Sequence, residues 1–221
     1  EGKIIEASGL HLFPGVIDDQ VHFREPGLTD RGNIKSESLA AIAGGTTSFM
    51  DMPNVLPPTL TNQLWNQKIE IASANASANY SFYMGSSNEN IEEIRSINPS
   101  EVCGVKVFMG SSTGNLLVDN EESLNLIFRD SPVIIATHCE DTPMIKKAEA
   151  RFKAKYGEDI PIEAHSEIRS REACLRSSKK AVALANKYDQ NLHISSPLPI
   201  RTFLAVSKFG LKCFLSDLKL K

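Results

Sequence analysis

Short apolar runs alternate with amphipathic stretches along most of this chain, and that alternation predicts its architecture. Strand-like runs lie at 10–17, 46–52, 79–84, 102–109, 132–137 and 191–195. Between them, apolar residues recur at helical spacing and predict helices over 34–43, 62–76, 88–97, 120–129, 142–156 and 166–188. Several boundaries carry their own signals. Thr142-Pro143 suits an N-cap followed by proline in the first turn, and Gly157 suits the end of the same helix. Asn120 ahead of Glu121 and Glu122 sets acids at a helix N-terminus, and Gly44-Gly45 reads as a helix end and turn. Strands that alternate with helices imply a parallel sheet with right-handed crossovers. No low-complexity linker or short repeat interrupts the pattern, which predicts one domain.

Composition narrows the class without naming a function. With 221 residues, 41% of them hydrophobic, the chain can bury a sizeable core. A net charge of −3 offers no basic footprint for nucleic acid or an anionic membrane. The basic residues from Arg169 to Lys180 are interleaved with Glu172 and alanines, the pattern of an exposed helix face. No run approaches the roughly 20 apolar residues that span a bilayer, and the N-terminus lacks a signal-peptide pattern. Cys103, Cys139, Cys174 and Cys213 are widely spaced with no C-x-x-C pair, so reduced thiols and a cytoplasmic location are expected.

The polar residues that interrupt this pattern gather at predicted strand ends. An apolar run from Leu10 to Ile17, broken by Pro14-Gly15, opens into Asp18-Asp19-Gln20-Val21-His22-Phe23-Arg24-Glu25-Pro26-Gly27. In a (β/α)₈ barrel the chemistry sits at the C-terminal ends of the strands. His22 and Arg24 are two residues apart, so on a strand both would point to one side. The second run ends in Asp51-Met52-Pro53-Asn54, where proline stops the strand and an amide follows. The fourth holds Lys106 inside Gly104-Val105-Lys106-Val107-Phe108-Met109-Gly110. A buried lysine needs a partner, which leaves a structural ion pair or a modified, metal-associated amine. The fifth ends in Thr137-His138-Cys139-Glu140-Asp141, and the sixth reads Leu192-His193-Ile194-Ser195. Three imidazoles at parallel strand ends suit zinc. His11 and His165 are weaker candidates. Gly110 to Asn115 lacks the G-K-[ST] of a phosphate loop and reads as a mobile loop over the site. Trp65, in a helical pattern, is expected in the core or an interface.

Together, Val21-His22-Phe23-Arg24-Glu25-Pro26-Gly27, Gly44-Gly45-Thr46-Thr47, Met52-Pro53-Asn54, Val105-Lys106-Val107-Phe108, Thr137-His138-Cys139-Glu140 and Leu192-His193-Ile194-Ser195 resemble dihydroorotase of the amidohydrolase superfamily. The likeness runs from about Gly9 to Ser195. It implies a (β/α)₈ TIM barrel, here with six βα units visible over residues 10–196. Residues 1–9 would be a remnant of a preceding β-sandwich, and 197–221 form an unmatched tail. It implies reversible ring opening of dihydroorotate to carbamoyl-aspartate, with one or two Zn²⁺ ions. His22, Lys106, His138 and His193 would be the metal ligands, with Lys106 carboxylated by CO₂. Arg24 and Asn54 would grip the substrate, and a guanidinium fork does fit a carboxylate. A metal there would lower the pKa of water toward ~7. A homodimer, or a complex with aspartate transcarbamoylase, follows from the same resemblance.

Two departures stand out. Gln20 occupies the place of the first histidine of the family's H-x-H, and an amide oxygen is a poorer zinc ligand than imidazole. The family's catalytic aspartate on an eighth strand has no counterpart; Asp217 is a lone carboxylate among lysines. Three alternatives to an active dihydroorotase therefore stay open: a non-catalytic scaffold, a truncated inactive homologue, or an allantoinase- or hydantoinase-type enzyme.

Overall fold

A computed structural model describes residues 2, 4–110 and 115–195 of the chain. Six strands run in parallel and pair strictly in chain order: β1 (Val16–Val21), β2 (Thr46–Asp51), β3 (Asn79–Gly85), β4 (Gly104–Phe108), β5 (Ile135–His138) and β6 (Leu192–Ile194). Helices α1 (Ile34–Ala43), α2 (Asn62–Asn75), α3 (Ile91–Arg95), α4 (Glu121–Asp130), α5 (Thr142–Tyr156), α6 (His165–Ile168) and α7 (Arg171–Tyr188) connect them. This is a curled portion of a (β/α)₈ barrel, in which each strand advances the sheet by one place.

Alternation along the strands divides the sheet into two faces. Phe49, Phe82, Met84, Val105, Val107, Ile135 and Leu192 pack with Trp65, Ile94, Leu124, Phe128 and Val182 from the helices in the main core. The intervening residues Tyr83 and Ala136, with Met52 just beyond β2, form a second cluster on the opposite, concave face. Trp65 is a core residue whose Nε1 donates to the Phe82 carbonyl at 3.0 Å. On the fourth strand, alternation separates Val105 and Val107 from Lys106, which therefore belongs to the concave face.

The helix ends follow local chemistry. Asn33 caps α1 by accepting from Ser36 N, while the Ser36 hydroxyl accepts from Asn33 N. Asn120 caps α4, as the sequence predicts. Gly157, at φ +68°, ends α5 in a conformation that favours glycine. The cap of α5 differs from expectation by one residue: Asp141 accepts from Met144 N, and Pro143 follows within the first turn. The long helix expected over 166–188 is two helices, because the Ser170 hydroxyl accepts from Ala173 N and starts a new one.

The first strand is the larger correction. Its span is Val16–Val21, not 10–17, so Asp18, Asp19 and Gln20 lie within it. Pro14-Gly15 ends the apolar run before any ladder forms, and Leu12 is 98% exposed. Residues 197–221, including Asp217 and Cys213, lie outside the described residues, as do 111–114 of the glycine-rich loop. Among the described residues no helix is long and apolar enough to cross a membrane.

Candidate active site

The segment after β1 is built almost residue by residue around its neighbours. The Phe23 amide donates to Asp51 Oδ1 at 2.9 Å, which ties the end of the first strand to the end of the second. Arg24 sits at φ +67°, a left-handed conformation that costs a non-glycine residue about 1–3 kcal/mol. His22 and Arg24 therefore do not share a strand face by simple alternation; the strand has ended and the backbone has turned. Leu28 N donates to the Arg24 carbonyl at 3.0 Å and holds that turn. Glu25 Oε2 accepts from Ile34 N at 2.8 Å, where a helix N-terminus favours a carboxylate. Leu56 N donates to the Pro26 carbonyl at 3.1 Å. Gly27, at φ +82°, lies against the Leu56 backbone where a β carbon would clash. The motif that looks like a functional signature is thus also a folding signature.

Asp51 is held in turn by Lys68, whose Nζ lies 2.6 Å from Asp51 Oδ2 and donates to the Met52 carbonyl at 3.0 Å. Both side chains are essentially fully buried. Burial pushes the Lys68 amine below its ordinary value, and the Asp51 charge opposes that shift. The sequence reading omits this pair. Its signal is the helical spacing Trp65, Lys68, Ala72, which puts the lysine on the buried face of α2.

Each of the three expected imidazoles has an oxygen partner. His22 Nδ1 lies 2.9 Å from Asn54 Oδ1, joining a candidate ligand to a candidate substrate residue. Although the His22 side chain reaches solvent, desolvation and then the Arg24 charge push its imidazole below the usual value. His138 Nε2 lies 3.2 Å from Glu140 Oε2, which also accepts from Arg169 Nη1 at 2.6 Å. His193 Nε2 lies 3.3 Å from Asp19 Oδ2. His165 and His11 are exposed on α6 and ahead of β1, outside this group.

Lys106 lies level with Ala136 and, across the next strand, with His193; Phe108 is level with His138. The Lys106 side chain is buried at 2% exposure, and its Nζ has no hydrogen-bond partner. That nitrogen lies over the Phe108 ring, 5.4 Å from its centroid. Burial pushes the amine down to about 8, against the weaker pull of Cys139 and Asp19. An amine lowered this far has an accessible neutral, nucleophilic fraction near neutral pH.

No three His, Cys, Asp or Glu side chains among the described residues already stand together as a metal-holding group. The donor chemistry nevertheless fits one. Lys106, His138 and His193 belong to the neighbouring strands β4 to β6, the Asp19 carboxylate of β1 reaches His193, and His22 follows β1; an unsatisfied buried donor calls for a group to satisfy it.

No family model matches the chain. Over 193 residues it is 30% identical to a dihydroorotase from Methanosarcina acetivorans, a match covering 86% of this chain and 40% of that one. Over 182 residues it is 30% identical to an allantoinase from Deinococcus radiodurans, covering 79% and 41%. Among solved structures, an L-hydantoinase from Arthrobacter aurescens superimposes with a TM-score of 0.76 at 25% identity, covering 82% of this chain and 41% of that one. A dihydropyrimidinase from Brevibacillus agri gives a TM-score of 0.74 at 24% identity and shares the fold. The chain spans about 40% of the length of the curated relatives it matches. With six parallel strands in unbroken order and this homology, the chain is a homologue of dihydroorotases and allantoinases, of the amidohydrolase superfamily, and carries part of a (β/α)₈ barrel.

Proposed function

We propose that this chain supplies the metal-binding and substrate-gripping part of a cyclic-amide hydrolase whose substrate is dihydroorotate, opened reversibly to carbamoyl-aspartate. The observation that carries this reading is Lys106, a buried amine with no hydrogen-bond partner on the strand between β3 and the histidine-bearing β5 and β6. Addition of CO₂ to the neutral amine, with loss of one proton, would give an anionic carbamate and relieve the unsatisfied nitrogen. His22, Lys106, His138 and His193 would hold Zn²⁺, which supplies Lewis acidity toward an amide carbonyl and acidifies water.

The remaining chemistry belongs to side chains that touch substrate. Arg24 would pair with a ring-borne carboxylate through its planar fork. Asn54 Oδ1 is engaged by His22, which leaves the Asn54 amide hydrogens to donate to the substrate ring. Asp51 and Lys68 act through the backbone, tying the residue between His22 and Arg24 to the strand that leads to Asn54.

A second reading is an allantoinase or hydantoinase, favoured by the equal identity to an allantoinase and by the hydantoinase fold match. The zinc-supplied enzyme to which this chain contributes, incubated separately with dihydroorotate, allantoin and hydantoin, distinguishes them. Ring opening of dihydroorotate is expected. Turnover of allantoin or hydantoin alone reassigns the substrate, and turnover of none removes the enzymatic reading. Native mass spectrometry on the same sample reads zinc and a CO₂ adduct independently of turnover, and Lys106→Ala abolishes the adduct.

A further inference from the structure

We propose that Asp19, rather than Gln20, is the residue through which the first strand joins His22 in holding the divalent cation, a carboxylate in place of an imidazole. The inference rests on the metal-dependent reading above. It starts from the register of the first two strands. Asp18 pairs with Phe49 and Val21 pairs with Asp51, so three steps along β1 match two along β2. One residue is extra, and the strand is bulged between Asp18 and Val21.

The bulge changes which side chains share a face. Phe49 packs in the core against the helices, and Asp51 pairs with Lys68 of α2, so their partners Asp18 and Val21 belong to that side. Val21 is indeed packed against the main core. Asp19 and His22, each one step beyond those partners, therefore belong to the concave face, and Gln20 is the bulged residue. Two contacts place Asp19 there independently. Its carboxylate reaches His193 Nε2 at 3.3 Å, and its carbonyl accepts from the hydroxyl of Tyr83, a member of the concave cluster, at 3.1 Å.

A second observation points to a ligand at this place. Lys106, more than nine-tenths buried and unpartnered at Nζ, is level with His193 across β5, and His193 is the residue that Asp19 contacts. The local gathering is one carboxylate, one imidazole and one orphaned amine, with His22 following on the bulged strand. Among the described residues the Gln20 hydrogen bond is a backbone one, its main-chain amide donating to Asp18 Oδ1 at 3.1 Å. A carboxylate is a hard anionic oxygen donor, which moves the site's preference toward Mn²⁺ relative to an all-imidazole set.

The test is a Zn²⁺ titration of chelator-stripped protein against a chromophoric competitor, for the native chain, Asp19→Asn, Asp19→His and Gln20→Ala. Far-UV circular dichroism confirms folding, which a half-exposed Asp19 should not disturb. Asp19→Asn is expected to weaken zinc about tenfold or more, with Asp19→His and Gln20→Ala staying within about threefold of the native value. Unchanged affinity in Asp19→Asn, or an equal loss in Gln20→Ala, overturns the assignment while leaving the metal reading intact. A native chain that binds no zinc overturns both.

Discussion

Lys68 Nζ stands 2.6 Å from Asp51 Oδ2 in the packed layer between α2 and the sheet, and neither side chain meets solvent. The other carboxylate oxygen accepts the Phe23 amide, so one ion pair fixes the two strand ends that carry His22, Arg24 and Asn54. Charges out of water are retained only when every polar atom is well matched. Here the amine also donates to the Met52 carbonyl.

Removing one partner should therefore be worse than removing both. Lys68→Met is expected to cost about 3–5 kcal/mol in urea unfolding, because it strands a buried carboxylate. The double variant Lys68→Met, Asp51→Leu should recover part of that loss. A single variant within experimental error of the native chain would mean that the pair contributes nothing to folding.

Lys106 predicts the opposite sign. Its buried Nζ has no hydrogen-bond partner, and an unsatisfied buried donor costs about 1–3 kcal/mol. In chelator-treated protein, Lys106→Met should raise the melting temperature while abolishing the CO₂ adduct. A drop in melting temperature would show that the amine already has a stabilising partner.

Gly27→Ala probes the turn after β1. The residue adopts φ +82° and touches the Leu56 backbone, so a β carbon brings both strain and overlap. A loss exceeding about 1 kcal/mol is expected. Zinc affinity measured alongside should fall as well, since the same turn carries His22 and Arg24.

Asp130 gives a pH-dependent prediction at the surface. The hydrogen bond from Arg129 holds its carboxyl well below the usual carboxylate range; desolvation opposes that shift, and Arg95 adds to the lowering. The Arg129 Nε and Arg95 Nη2 atoms lie 2.7 and 2.6 Å from its two oxygens. A carboxyl depressed in the folded state stabilises fully above its unfolded value of about 3.9 and loses that contribution as pH falls toward the folded value. Asp130→Asn should thus lower the melting temperature at pH 7, with the difference from the native chain shrinking below pH ~4. A constant difference down to pH ~2 would assign the effect to packing instead.

The buried thiols offer a chemical check on the core. Desolvation pushes Cys139 and Cys103 up to about 11, so little of either is thiolate at neutral pH. Peptide mapping after brief iodoacetamide treatment of folded protein should find Cys139 unmodified, with labelling only after unfolding. Rapid modification of Cys139 in the folded state would place it outside the core.

Periodicity in the sequence determined the alternation of strands and helices, because burial of one helix face and of strand cores repeats at fixed spacings. The spans of α1 and α5, the caps at Asn120 and Gly157, and the buried strand around Lys106 were all legible on that basis. So was the strand-end place of His138, the last residue of β5, whereas His193 is the middle residue of the short β6. The first strand was not legible. Half of its residues are polar and nearly all are exposed, and its apolar neighbours Leu10, Leu12 and Phe13 lie outside the ladder.

Tertiary structure alone decided what those residues meet. A bulge is a property of two strands in register, so only the pairing with β2 could set Asp19, rather than Gln20, beside His193. The Lys68–Asp51 pair joins residues from different elements, and no local pattern specifies which carboxylate a helix lysine will find. Arg24 follows the same logic: its left-handed backbone is imposed by bonds to distant strands and helices, against its own preference. Local sequence sets where chains prefer to bend and bury; long-range contacts decide which preferences are overruled.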